Sequence, residues 1–145
     1  MKSRKETDRR KLWLNRGWQI QREIDALDRL LQEAEETKHR MTADAEQIKV
    51  QTSEKNQMEK AIQRSIEYET RIRSRKVYLV SVKDEVASAI SKVEDGTCRM
   101  LLIMRYLEHK TWDEIATMLH YSWTGIHKVH RRALGMVDIP DYYRE

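Results

Sequence analysis

The chain is 145 residues long, with 36% charged and 39% hydrophobic residues, four Gly, one Pro, no Phe and a net charge of +4 at pH 7. This composition has few helix breakers and little apolar material for one large core, so we expect long, solvated helices of the all-α class. No apolar run approaches the roughly 18 residues of a membrane span, and the N-terminus lacks the apolar segment of a secretion signal, which indicates a cytoplasmic protein.

The first element in chain order is a long helix over residues 18–50 with an apolar seam. Its apolar side chains recur at alternating steps of four and three residues, which is the pattern of a coiled coil. The seam consists of Ile20, Ile24, Leu27, Leu31, Ala34, Met41 and Ile48. Lys38 stands in the same register and weakens the seam locally. We favour pairing with another copy of the chain, as a homo-oligomer with a dimer preferred; the alternative is a helix that folds against its own chain.

A second run of helical periodicity follows a polar interruption at residues 51–57. Met58, Ile62 and Ile66 predict a helical connector over residues 53–76. The interruption separates this connector from the N-terminal helix, so we assign residues 1–52 to a coiled-coil oligomerisation segment. Residues 77–145 then form a small helical domain.

The C-terminal domain begins with apolar residues at helical spacing from Tyr78 to Val93. Asp95-Gly96 predicts a turn in which glycine suits the left-handed end of a helix. Thr97 is expected to cap the next helix, whose run over residues 100–104 is apolar on nearly all sides and therefore predicts a buried central helix.

The most informative stretch runs from Thr111 to His130. Thr111 and Glu114 predict a capping box that starts a short helix, and Ser122 predicts the cap of another. About three residues separate the two helices, which is helix-turn-helix spacing. His120 stands in the turn where a residue tolerant of positive φ is needed.

The inner faces of these two helices are predicted from their apolar residues. Ala116 provides a small side chain where the helices would touch, and Tyr121, Ile126 and Val129 are expected to close the wedge between them. The second helix carries basic residues and no acidic residue from Trp123 to Gly135. Such a helix can lie in the major groove of DNA, so we expect double-stranded DNA as a partner.

These residues resemble region 4 of bacterial sigma factors over roughly residues 79–137. The resemblance is carried by residues 102–107, by Thr111-Trp112-Asp113-Glu114-Ile115-Ala116, by Tyr121-Ser122 and by Arg131-Arg132-Ala133-Leu134. The chain is more similar still to phage-encoded sigma-like regulators of the ArpU/RinA type, which share Tyr121-Ser122 with His130-x-x-Ala133-Leu134. The resemblance implies a sequence-specific activator of phage late genes in a bacterial host cell, acting with host RNA polymerase, rather than a complete sigma factor.

The resemblance also implies roles for individual residues. The region-4 pattern puts four residues at positions that face bases: Trp123, Thr124, His127 and Lys128. Arg131 and Arg132 lie about one turn further on and are expected at phosphates, and Thr111 and Trp112 are expected near the DNA backbone at the start of the supporting helix. For Trp123 the alternative is a partly buried packing residue.

The other candidate functions are a metal site, an enzyme, a DNA-packaging subunit and an adaptor protein. The five His residues have no Cys or acidic partner at ligand spacing, so no metal site is expected, and His130 is expected to pack at the edge of the core. Without a Gly-rich phosphate loop or a catalytic triad, we expect neither an enzyme nor a cofactor. The alternatives are a phage small terminase (DNA-packaging) subunit and a coiled-coil adaptor protein.

Overall fold

The computed structural model describes residues 4–47 and 52–143, with side chains described for residues 4–43 and 53–143. All regular elements in these ranges are helical, which confirms the all-α class. They are α1 (Arg4–Leu14), α2 (Arg16–Gln47), α3 (Thr52–Ser91), α4 (Gly96–Leu102), a π-helical segment (Ile103–Leu107), α5 (Trp112–Leu119), α6 (Trp123–Met136) and a short 3₁₀ turn (Asp141–Tyr143). None of these described helices is at once long and apolar enough to cross a lipid bilayer.

The chain forms two compact units, and their boundaries differ from the expected domains. The helical hairpin unit comprises residues 20–78, and the C-terminal unit combines residues 4–19 with residues 79–143. The expected connector over residues 53–76 is therefore part of a helix in the hairpin unit. The expected oligomerisation segment over residues 1–52 is divided between the two units.

In the hairpin unit, α2 packs along the N-terminal part of α3. Glu23 pairs with Arg75 at 3.1 Å, whereas Ala34 shares a small hollow with Ala61. Low residue numbers on α2 thus lie beside high residue numbers on α3, so the two helices are antiparallel. The continuous helix expected over residues 18–50 is confirmed as far as Gln47.

The apolar seam of α2 is covered within the chain. Ile20, Ile24, Leu27 and Ala34 are buried, whereas Leu31 and Met41 are half-buried and Ile48 lies outside the described residues. The seam on which we expected a second copy to dock therefore has contacts with α3 of the same chain, which is the alternative considered above. The physical reason is that α3 returns antiparallel, so that its buried Ala61 lies beside Ala34 of the seam. Lys38 avoids the interior by pairing with Glu35 at 2.9 Å.

The C-terminal unit is built on one apolar core. The end of α3 contributes Val82, Val86 and Ile90, and the other elements add further fully buried side chains. Those with the least exposure are Leu14, Cys98, Leu101, Leu102, Ile115, Ile126, Ala133, Leu134 and Val137. The central helix expected around residues 100–104 is confirmed as buried, although Met100 is exposed and the last part of the run is π-helical.

The start of α4 differs from the expected turn. Asp95, not Thr97, is the cap, because its carboxylate accepts a hydrogen bond from the backbone N–H of Cys98 at 2.9 Å. That bond also lowers the pKa of Asp95. Gly96 does not have a positive φ. Gly96 is the first residue of α4, so its backbone belongs to that helix and does not take the left-handed conformation of a helix end.

The N-terminal helix is an integral part of the C-terminal unit. Trp13 and Leu14 are almost fully buried, and the largely buried Arg10 donates from Nε to the backbone oxygen of Val137 at 2.7 Å. This bond satisfies a carbonyl at the end of α6. Basic residues near the N-terminus are thereby brought beside α6, which the sequence pattern did not predict.

Candidate nucleic-acid interface

The connection between α5 and α6 has the geometry expected of a helix-turn-helix turn. His120 has φ 61° and ψ 46°, in the left-handed region. Its N–H bonds to the backbone oxygen of Thr117, and the N–H of Tyr121 bonds to that of Ala116 at 2.9 Å. This pair of bonds is a Schellman motif, which ends α5 sharply and satisfies its last carbonyls. The positive φ predicted for His120 is confirmed.

Both predicted helix caps are present. The Thr111 hydroxyl accepts from the N–H of Glu114, and the Glu114 carboxylate accepts from the N–H of Thr111, which completes the capping box. At α6, the Ser122 hydroxyl accepts from the N–H of Gly125 at 3.0 Å. Caps of this kind each stabilise a helix by about 1 kcal/mol. They fix where α5 and α6 begin, and hence which residues stand in their first turns.

The inner faces of α5 and α6 are buried against each other and the core. Ala116, Ile126 and Val129 are all buried, as predicted. Tyr121 differs from them, because 39% of its surface is exposed. Its ring instead covers Gly125, where an added Cβ would be 3.5 Å from the ring and 3.0 Å from the Ser122 hydroxyl.

The solvent face of α6 carries three of the predicted contact residues. Thr124, Lys128 and Arg131 are exposed, and they lie within about 60° of one another around the helix because α-helical residues advance by about 100°. None of them forms an ion pair with a described residue of the chain. The face is therefore positively charged and open to solvent.

The aromatic residues beside this face, Trp112, Trp123 and His127, form a cluster of tilted and edge-to-face rings, which we call the aromatic cluster. The ring of His127 lies 4.8 Å from that of Trp112 and 4.7 Å from that of Trp123. His127 is consequently half-buried between two indoles and not a free side chain on the outer face, because its position on α6 faces the start of α5. Trp123 is 56% exposed at the edge of the aromatic cluster, so it is not a packing residue of the core.

The two arginines expected at phosphates lie on different flanks of α6. Arg131 lines a hollow together with Thr7 and Lys11 of α1. Arg132 is directed to the start of α4, where it interacts with Cys98 and Asp95 and where this environment raises its pKa. The pair is separated because successive residues of a helix point about 100° apart.

The start of α5 offers less free backbone than expected. Thr111 is exposed, but its N–H and the N–H of Glu114 are both occupied by the capping box. Trp112 is half-buried, with the Arg105 guanidinium 4.6 Å above its ring. Arg105 therefore accompanies Trp112 at this end of α5, although the sequence pattern gave no indication of it.

A buried polar pair lies beside the aromatic cluster. The hydroxyl of Tyr106 is 2.7 Å from Nε2 of His130, and both side chains are largely buried. Burial, followed by the charges of Lys11 and Arg105, lowers the pKa of His130 to about 3, and burial raises the pKa of Tyr106. His130 is therefore a neutral imidazole, and the tautomer of its ring decides whether the Tyr106 hydroxyl or the Nε2–H of His130 donates. His130 is more deeply buried than the edge position expected for it.

Lys11, Arg105 and the helix α1 are the parts of this site that the sequence analysis missed. One signal was available, because Arg10, Trp13, Leu14 and Gly17 are spaced as one face of a helix and all are buried. With only two apolar members, that face does not register as a hydrophobic stripe. Within the ranges that the structure describes, no group of three His, Cys, Asp or Glu residues could hold a metal ion.

Comparisons with known proteins give no further assignment. No family model, no curated protein and no solved structure significantly matches the chain.

Proposed function

We propose that the protein binds double-stranded DNA through α6. The observation that carries this proposal is the solvent face of α6, where Thr124, Lys128 and Arg131 stand together on a helix that contains no Asp or Glu. A short capped helix held by a Schellman turn is rigid enough to keep such a face in one orientation. Exposed basic and hydroxyl side chains on such a helix suit base edges in the major groove and phosphates beside it.

We propose a role for each residue of this interface. Thr124 and Lys128 are the base-contacting residues, and Trp123 contacts a thymine methyl group or the sugar backbone from its exposed position. Arg131 binds a phosphate. His127 and Trp112 support the interface from within the aromatic cluster.

The biological role rests on the resemblance to sigma region 4. On that basis we propose a sequence-specific transcription regulator of the ArpU/RinA type, which activates phage late genes with host RNA polymerase in the bacterial cytoplasm. Mapping the sites that the protein occupies on the genome encoding it tests this role. We expect occupancy upstream of late genes, and occupancy confined to packaging sites would contradict this role.

Binding itself is tested by fluorescence anisotropy of a labelled duplex at several salt concentrations. We expect the logarithm of the association constant to fall linearly with the logarithm of salt, since phosphate contacts release counterions. Lys128→Ala should weaken binding, whereas Lys92→Ala, which removes an exposed Lys at the end of α3, should not. Absence of duplex binding by the unmodified protein at 50 mM salt, or equal losses in the two variants, would contradict the proposal.

A further inference from the structure

A basic groove runs along the flank of α6 that faces α1. It consists of a cleft of about 320 Å³, lined among others by Lys11, Asn15, Arg105 and Trp112, and a smaller hollow of about 130 Å³ lined by Thr7, Lys11 and Arg131. Lys11, His127 and His130 line both spaces, so the two adjoin. We call them together the α1–α6 groove.

The charged side chains that line the groove are cationic. Lys11, Arg105 and Arg131 contribute three positive charges, and among the described residues no Asp or Glu lines either space. In the described part of the chain, none of the three forms an ion pair with a carboxylate. Like charges gathered in one concave surface repel one another unless an anion joins them, so this arrangement favours an anionic ligand.

The position of the groove relates it to the face of α6. Arg131 belongs to both, since it lines the smaller hollow and is exposed beside Lys128. The groove therefore begins where the proposed base-contacting face ends. Two adjoining basic spaces suit successive phosphates of one strand better than they suit a single small anion.

We propose that the α1–α6 groove binds the phosphate backbone of the DNA strand next to the bases read by α6, which makes α1 part of the DNA interface. This inference rests on the proposed DNA binding and adds to it a second element, with Lys11 as its main contact. Arg105 is held by the ring of Trp112 and by a hydrogen bond from its Nη1 to the backbone oxygen of Lys110 at 3.0 Å. It thus provides a fixed charge at the far end of the groove.

The test compares two Lys→Gln variants of α1 in the full chain. Lys11→Gln removes the charge from the groove, and Lys5→Gln removes an exposed charge of the same helix that lines neither space. Gln and Lys have similar helix propensities, so both variants should fold as the parent does. Thermal unfolding by circular dichroism checks this.

The measurement is the salt dependence of binding to one labelled 20-base-pair duplex. Lys11→Gln should make the slope of log association constant against log salt shallower by about one, which is about a three- to fourfold smaller loss of affinity between 50 and 200 mM salt. Lys5→Gln should retain the slope of the parent. Equal slopes for Lys11→Gln and the parent, or equal changes in both variants, would overturn the inference.

Two further outcomes are distinguishable. If the parent binds no duplex, the proposed function fails. If the parent binds and the Lys11 substitution has no specific effect, only the proposed role of the α1–α6 groove is overturned.

Calorimetry with inorganic tripolyphosphate distinguishes binding of the DNA backbone from binding of a free polyphosphate. We expect no saturable tripolyphosphate binding at micromolar concentrations, and saturation there that is lost in Lys11→Gln would overturn the assignment to DNA.

Discussion

At the scale of single residues, His120 holds the turn of the helix-turn-helix in the left-handed conformation. A residue with a Cβ pays roughly 1–2 kcal/mol for this conformation, whereas Gly adopts it freely and His tolerates it better than most. The His120 side chain is exposed, so its packing does not offset that cost. Backbone conformation alone should therefore decide which substitutions the position accepts.

We expect His120→Gly to be at least as stable as the parent and His120→Val to be less stable by about 1–2 kcal/mol, because a β-branched residue is strained at positive φ. Urea denaturation of the two variants measures the difference. Equal stability of His120→Val and the parent would mean that residue 120 does not adopt the left-handed conformation.

His130 makes the stability of the C-terminal unit depend on pH. Its pKa is lowered by burial to about 3 in the folded chain and returns to about 6.5 on unfolding. Between these values the unfolded chain binds a proton that the folded chain does not. The free energy of unfolding therefore falls as the pH falls from 6.5 towards 3, and the contribution of neutral His130 is fully present above pH 6.5.

Replacing His130 with Gln removes this titration while keeping a side chain that can accept from or donate to the Tyr106 hydroxyl. Between pH 6 and 4, the free energy of unfolding should fall less steeply in His130→Gln than in the parent, by about 1.4 kcal/mol per pH unit. Denaturant unfolding at a series of pH values measures both slopes. Burial also lowers the pKa of His109, but that group titrates in both proteins. Parallel slopes would show that His130 is not buried as a neutral base.

At the scale of elements, α1 contributes to the core beneath α6 and carries Lys11 beside it. Leu14 is fully buried, whereas Leu12 of the same helix is 52% exposed. The two leucines therefore provide a matched pair, since each loses the same atoms on substitution by Ala but only one leaves a cavity.

Leu14→Ala should destabilise the C-terminal unit by about 2–5 kcal/mol, and Leu12→Ala should change stability by no more than about 0.5 kcal/mol. Thermal unfolding of both variants provides the measurement. If both variants behave alike, α1 does not pack on the C-terminal unit, and a role of Lys11 in the groove would lose its structural basis.

The hairpin of α2 and α3 offers a similar comparison. Ile24 is almost fully buried in the seam, whereas Leu30 is 41% exposed on the same helix. We expect Ile24→Ala to lower the free energy of unfolding by about 2–4 kcal/mol and Leu30→Ala to lower it by less than about 1 kcal/mol.

Protein concentration distinguishes a seam covered within one chain from a seam shared by two. If α3 covers the seam, the unfolding midpoint of the parent should be the same over a hundredfold range of protein concentration, as is typical of intramolecular contacts. A midpoint that rises with concentration, and a loss of that rise in Ile24→Ala, would instead support pairing of two copies through α2.

At the scale of the whole molecule, local chemistry was predictable from the sequence and distant partners were not. The caps at Thr111 and Ser122 and the turn at His120 depend on residues within a few positions, so their spacing predicted them. The seam of α2 indicated a buried face but contained no information on what buries it. Likewise, neighbouring helices determine the environment of the side chains on the flanks of α6. The surroundings of His127 and Arg132 therefore differ from those expected.

The central claim is that the outer face of α6 reads DNA sequence. Competition of the parent, Thr124→Ala, Lys128→Ala and the control Lys92→Ala against a library of randomised duplexes tests it most directly. We expect the first two variants to change the preferred sites, by about five- to two-hundredfold in relative affinity per lost base contact, while Lys92→Ala selects the same sites as the parent. If all four proteins select the same sites with the same relative affinities, α6 does not read bases and the account is contradicted.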